Sequence, residues 1–246
     1  MPRIKDQAIC IRHIDWSESS QVVVLLTQDH GKLRGLAKGS KRQSPSAVQR
    51  FSGGIELLTQ GQVVAVTKRT AELATVTEWD LQEDYHFLRR DLNAQKLAMY
   101  AADLTNAMLA DEDTHPGTFT AMSNYLAALP DPETRPMALL KFQWALLEDC
   151  GYRPELNRDV RKGEPLGKAR AYTFDPMAGG LTVENGIDDW RVRAKTVSLL
   201  QKLLAGESID NTEADSLNRA NKLLCVYARS ILDKELPTMR VVLNGG

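Results

Sequence analysis

The chain has 246 residues, of which 43% are hydrophobic and 26% charged, and its formal net charge is −1. That length admits one large domain or two to three small ones with a real core, and the composition excludes a disordered or fibrous chain. No apolar run approaches the ~20 residues of a membrane-spanning helix, and three scattered cysteines, Cys10, Cys150 and Cys225, form neither a disulfide framework nor a C-x-x-C pair.

The opening MPRIKDQAIC lacks a basic-then-apolar leader, so a cytoplasmic location is expected. Up to about residue 80, short runs rich in Val, Ile and Thr alternate with turn residues: QAICIRH, SQVVVLLTQ, KLRGLAK, GIELLT, QVVAVTK and LATVTEW. They read as five or six strands of a small β-barrel. TQGQ, residues 59–62, reads as a tight hairpin with Gly61 at positive φ.

Charge is unevenly placed along the chain. Residues 1–70 hold 11 Lys or Arg against five acids, leaving 20 basic and 27 acidic residues for the remainder. Residues 30–43, HGKLRGLAKGSKRQ, carry five of these cations and no acid. In a strand, alternation puts Lys32, Arg34, Leu36 and Lys38 on one side, with Leu33, Gly35 and Ala37 turned inward. Lys41 and Arg42 extend the stripe into a loop of Ser, Gly and Pro read as a flexible arm. Arg50 continues it, and Lys68 and Arg69 lie at a strand end. Such a stripe suits the phosphates of a nucleic acid, and a solvated surface face is the competing reading. With only Trp16, Phe51 and Trp79 as large aromatics nearby, backbone contact is favoured over base stacking.

Beyond Asp80 the period lengthens to that of helices. Residues 88–109 place Leu88, Leu92, Met99, Leu104 and Met108 on one broad face. Later helical segments end on Gly151 and Gly206, both read as C-terminal cap glycines. Residues 152–187, with three prolines and the Gly179–Gly180 pair, read as a small irregular insert. The expected organisation is a barrel at 1–80, helices at 81–151, the insert at 152–187, and helices again at 188–246.

Catalytic signatures are weak. GLAKGSK and GEPLGKA fall one residue short of a nucleotide-binding loop and lack the following Ser or Thr. DEDTH, residues 111–115, reads as a solvated connecting loop rather than a metal site, and EWDLQED as the exposed start of the helical part. The four histidines show no metalloprotease or triad spacing. The chain is therefore expected not to be an enzyme and to carry no cofactor.

Three stretches in series resemble the RecO family of bacterial recombinational repair proteins. The first is DQAICIRHIDWSESSQVVVLLTQDHGKLRGLAKGSKR, with Trp16, Glu18, Ser19, Ser20, Gly31, Lys32, Leu33, Arg34, Ala37, Lys38, Gly39, Lys41 and Arg42 on the family pattern. The others are LLKFQWALLEDCGYRPEL and FDPMAGGLT. The resemblance implies an α+β chain with an N-terminal OB-fold barrel, a helical domain and a small zinc-binding insert. It further implies binding of single- and double-stranded DNA, annealing of complementary strands, and help in replacing single-strand binding protein (SSB) by the RecA recombinase, with RecR as a partner and a cytoplasmic, nucleoid-associated location. The DNA-binding residues would be Lys32, Arg34, Lys38, Lys41, Arg42, Arg50, Lys68 and Arg69. An OB-fold RNA-binding or translation-associated adaptor is the alternative that a barrel equally permits.

Two points depart from or extend the pattern. Where many members have two C-x-x-C pairs, this chain has Asp159, Lys162, Val183 and Gly186, so no zinc is expected, and packing of Tyr152, Tyr172, Phe174 and Leu181 should hold the insert. On the helix around residues 133–150, Lys141 and Trp144 are candidates for holding the acidic, apolar C-terminal tail of SSB, while Phe142, Leu146 and most of Trp144 read as core at helical spacing.

Overall fold

Strand β1 (Arg3–Asp15) is long enough to serve two neighbours: its first half pairs with β4 (Gln60–Val66) and its second half with β2 (Gln21–Thr27). A register shift between Cys10 and Arg12 bends it from one partner to the other, as bulges do where sheets curl. The computed structural model describes residues 3–67, 71–184, 190–209 and 212–244, and the chain divides into two units, Met1–Pro130 and Asp131–Gly246.

In the first unit β2 continues into β3 (Lys32–Ala37), which meets β5 (Ala74–Glu83) through three parallel pairs, and β5 pairs antiparallel with β4. The order β1-β2-β3-β5-β4, with β4 back on β1, is that of an OB-fold-like barrel. Alternation sends Ala8, Cys10, Val23, Leu25, Leu33, Ala37, Val63, Ala65, Val76 and Trp79 inward, and Phe51 and Ile55 plug the interior. Burial drives the Cys10 thiol up to about 12, which leaves it inert as a nucleophile.

Two expectations for this unit are corrected. GIELLT is not a strand: Leu58 has φ +61, and the segment turns after helix α1 (Pro45–Phe51). Gly61 is not at a turn. It sits within β4, where a Cβ would lie 2.3 Å from the Asp80 carbonyl oxygen, so glycine is required by close strand approach.

Helices α2 (Leu92–Met108) and α3 (Pro116–Ala128) belong to this same unit and pack on β1 and β2, which is why Ile9, Ile11 and Leu26 are buried as well as the inward set. A short 3-10 turn, His86–Arg89, precedes α2, whose N-cap Asp91 accepts from the Asn93 and Ala94 amides. The buried residues of α2 are Ala94, Ala98, Tyr100, Ala101, Ala102, Leu104 and Thr105, while Leu92, placed on the core face by spacing, is 64% exposed.

The second unit contains α4 (Arg135–Asp149), β6 (Ala171–Asp175), β7 (Gly180–Thr182), β8 (Trp190–Arg193), α5 (Ala194–Leu204), α6 (Ala214–Leu232) and α7 (Arg240–Leu243). Helices α4 and α5 both pack on α6. Gly151 and Gly206 have φ of +77° and +68°, and both helix ends close as expected: the amides of Gly151 and Tyr152 donate to Glu148 and Leu147, and those of Gly206 and Glu207 to Leu203 and Lys202.

The insert is more regular than expected, with β7-β6-β8 forming a three-stranded sheet. Phe174 and Leu181 are fully buried, whereas Tyr152 is exposed and Tyr172 only half-buried. Phe174 stacks on Trp190 at 5.7 Å and meets Tyr227 edge-on at 5.1 Å. Packing is joined by a carboxylate clasp. One oxygen of buried Asp159 accepts from the Arg161 and Lys162 amides at 2.9 and 3.0 Å, and the other from the Val183 amide and the Thr182 hydroxyl at 2.9 and 3.1 Å. These are the two segments that a zinc ion would join in the family pattern. With no thiolate at Asp159, Lys162 or Val183 and both Asp159 oxygens engaged, the residues present do not fit that metal; Gly186 lies outside the described residues.

Candidate nucleic-acid interface

The basic stretch divides into two parts that face different surroundings. At the start of β3, Lys32 is only 8% exposed. Its Nζ donates to the carbonyls of Asn106 at 3.0 Å and Leu109 at 2.6 Å and lies 3.2 Å from an Asp111 oxygen. The ammonium therefore closes the C-terminal end of α2, where unpaired carbonyls favour a cation. This corrects its assignment to the phosphate-binding set: alternation placed it on the outer face correctly, but the loop between α2 and α3 covers that face. Asp111 also comes within 3.8 Å of Arg34, which is half-exposed. The DEDTH loop is thus largely exposed but not merely solvated. Gly31 permits its approach, since a Cβ there would lie 2.1 Å from the Asp113 carbonyl oxygen.

Beyond Arg34 the picture changes. Lys38, Arg42 and Arg50 are exposed, and none has an acidic partner among the described residues. Together with Trp16, Ser17, Ser20, Leu36 and Gly39 they line one groove of about 340 Å³, with no acid in its walls. Arg50 is set in place by donating Nε to the Ser46 carbonyl at 3.2 Å, with its guanidinium 5.6 Å from the Phe51 ring centre. Lys41 points elsewhere, to Asp15 at 2.7 Å, and the hydrogen bond from Lys41 holds the Asp15 carboxyl below its usual range. Lys68 and Arg69 lie outside the described residues.

The stretch read as a flexible arm is a pinned turn. The buried Ser40 hydroxyl donates to Gln21 Oε1 at 2.9 Å, and Gln21 in turn holds the Ile55 amide and carbonyl at 3.1 and 3.0 Å. The Lys41 amide donates to Ser19 and the Arg42 amide to Gly39, after which α1 begins at Pro45. The positions of Lys38 and Arg42 relative to Arg50 are therefore set by the fold before any ligand arrives. Sequence reasoning missed Gln21 and Ser40, whose types and spacing carry no signal of their own.

Of the three aromatics noted near the basic stretch, Phe51 and Trp79 are core residues at 1% exposure, while Trp16 is 69% exposed on the rim of the cationic groove. An indole in a polar Asp-Trp-Ser-Glu-Ser-Ser turn was the available clue, since a turn residue has no core to fill.

On the second unit, Lys141 is exposed on α4, but Trp144 is only 6% exposed and Phe142 and Leu146 are buried. The core reading of these three holds, and Trp144 is withdrawn as a partner contact. No helix of the described residues is long and apolar enough to cross a membrane, and no group of three or more His, Cys, Asp or Glu among them could hold a metal.

Comparison with known proteins agrees over nearly the whole length. Residues 1–85 match the family model for the recombination protein O N-terminal domain, and residues 89–240 the C-terminal one. The chain is 28% identical over 243 residues to a DNA repair protein RecO of Myxococcus xanthus, covering 97% of this chain and 96% of that protein. It is 31% identical over 180 residues to one of Anaeromyxobacter dehalogenans, covering 73% and 69%, and 33% identical over 166 residues to one of Geobacter metallireducens, covering 68% and 66%. An OB-fold-like barrel with a cationic groove, a following helical part and family matches to both halves together place this chain in the RecO family of DNA repair and recombination proteins.

Proposed function

We propose that the chain is a non-enzymatic recombination mediator that holds DNA backbone phosphates on Lys38, Arg42 and Arg50, with Arg34 and Lys41 as outlying contacts. The observation that carries this reading is the groove itself: three exposed cations, unpaired by acids among the described residues and carried on a pinned turn and the following helix, on the barrel of a RecO-family chain. Neutralised phosphates release counterions, and two strands so neutralised repel one another less, so complementary stretches can meet and anneal. In the mediator role the chain would displace SSB in favour of RecA with RecR as partner, and exposed Lys141 is the remaining candidate for the acidic SSB tail.

The test is annealing of complementary labelled oligonucleotides by the wild type and by the variant Lys38→Ala, Arg42→Ala, Arg50→Ala. The reading predicts that the wild type accelerates annealing and that the variant loses most of this effect. No acceleration by the wild type, together with tighter binding to RNA than to DNA of the same sequence, would overturn it in favour of an RNA-binding adaptor.

A further inference from the structure

A large indole left in water at the edge of a groove is the feature that phosphate binding does not use. Of the four tryptophans, Trp79 and Trp144 are buried and Trp190 is half-buried against Phe174, whereas Trp16 stands 69% exposed. Exposed aromatic faces of this kind are informative because burial is their ordinary fate.

Its placement is fixed by backbone bonds. The Trp16 amide donates to the Ser20 carbonyl at 2.9 Å, and Ser17 and Ser20 exchange amide-to-carbonyl bonds at 3.2 and 3.4 Å. The same turn is tied to the cationic one: the Ser20 hydroxyl oxygen accepts from the Gly39 amide at 3.1 Å, and the Ser19 carbonyl from the Lys41 amide at 3.1 Å. The indole and two of the cations, Lys38 and Arg42, thus sit on two turns locked together, Arg50 joins them from α1, and Leu36 and Gly39 also line the groove.

We propose that Trp16 is a stacking platform for an unpaired base, so that this groove accepts a single strand in preference to a duplex. Resting on the phosphate-binding reading above, the inference names the form of nucleic acid that the site takes. A single strand can lay a base face on the indole while its flanking phosphates reach Lys38, Arg42 and Arg50. In a duplex both faces of every internal base are already stacked, so only the backbone contacts remain. Stacking is indifferent to base identity, since every base has a π-face, so the platform adds strand selectivity without sequence selectivity.

The experiment compares wild type, Trp16→Ala, Trp16→Phe and the triple cation variant on a single-stranded oligothymidylate and on a duplex of equal length, across a salt series. Trp16→Ala should lose about tenfold in single-strand affinity at every salt concentration, with the slope of log K against log salt unchanged and duplex affinity unchanged. Trp16→Phe should retain most of the affinity. In the wild type, the oligonucleotide should quench the emission of the exposed indole, and that quenching should vanish in Trp16→Phe. Equal single-strand affinity of wild type and Trp16→Ala, with no quenching in the wild type, overturns the inference. If the triple variant still loses affinity in that case, the phosphate reading stands and only the stacking platform falls. If the triple variant is also unchanged, both fall.

Discussion

Lys32 and Lys38 are two side chains of similar sequence surroundings with opposite fates. Both stand on the outer face of one basic stretch, yet Lys32 is sealed under the end of α2 by two carbonyls and Asp111, while Lys38 opens onto the groove. Removing the Lys32 charge should therefore act on stability rather than on nucleic-acid binding. Lys32→Met keeps the apolar stem but strands the buried Leu109 carbonyl and the part-buried Asn106 carbonyl, and is expected to cost about 1–3 kcal/mol in urea unfolding. Its salt slope for single-stranded DNA should equal that of the wild type. A slope lowered by about 0.7 with unchanged stability would instead make Lys32 a phosphate contact.

At the level of elements, the insert shows how a fold can keep its connection after losing a metal. Burial raises the Asp159 pKa, but the Val183, Lys162 and Arg161 amides and the Thr182 hydroxyl outweigh that and bring it down to about 2 from 3.8. Since the folded value lies below the unfolded one, the stabilisation is fully present above 3.8 and disappears as the pH falls from there toward 2. Asp159→Asn should destabilise the second unit by about 1–3 kcal/mol near neutrality and flatten the acid limb of its unfolding curve, read by Trp190 emission; an unchanged acid limb would show that the clasp contributes nothing. Much of the element plan was legible because it follows from local rules: the strand-rich start, the helical period after it, and the cap glycines Gly151 and Gly206. The errors came where a distant partner decides the outcome. Gly61 reads as a turn residue until β5 is seen to pass within contact of it, and the Asp159 clasp joins residues 23 and 24 positions apart. Leu92, the first residue of α2, falls outside the core although its spacing placed it on the helical face.

Across the whole molecule, the count of basic residues in the first 70 overstates the charge offered to a ligand. Asp111 reaches back from the far side of α2 to neutralise the start of β3, and Asp15 holds Lys41. Within residues 30–50, the cations left facing a groove with no acidic partner among the described residues are Lys38, Arg42 and Arg50, beside an exposed indole. The groove's existence was foreseeable from composition; its membership was not, because partner acids and a covering loop choose among the cations. The most direct check of this account is the salt dependence of binding to a labelled single-stranded oligonucleotide, by fluorescence anisotropy, for the wild type and for the Lys38→Ala, Arg42→Ala, Arg50→Ala variant. Loss of three phosphate contacts should lower the slope of log K against log salt by about 2, along with the affinity. Two superimposable lines would contradict the account, and the cationic groove would then be no more than a solvated face.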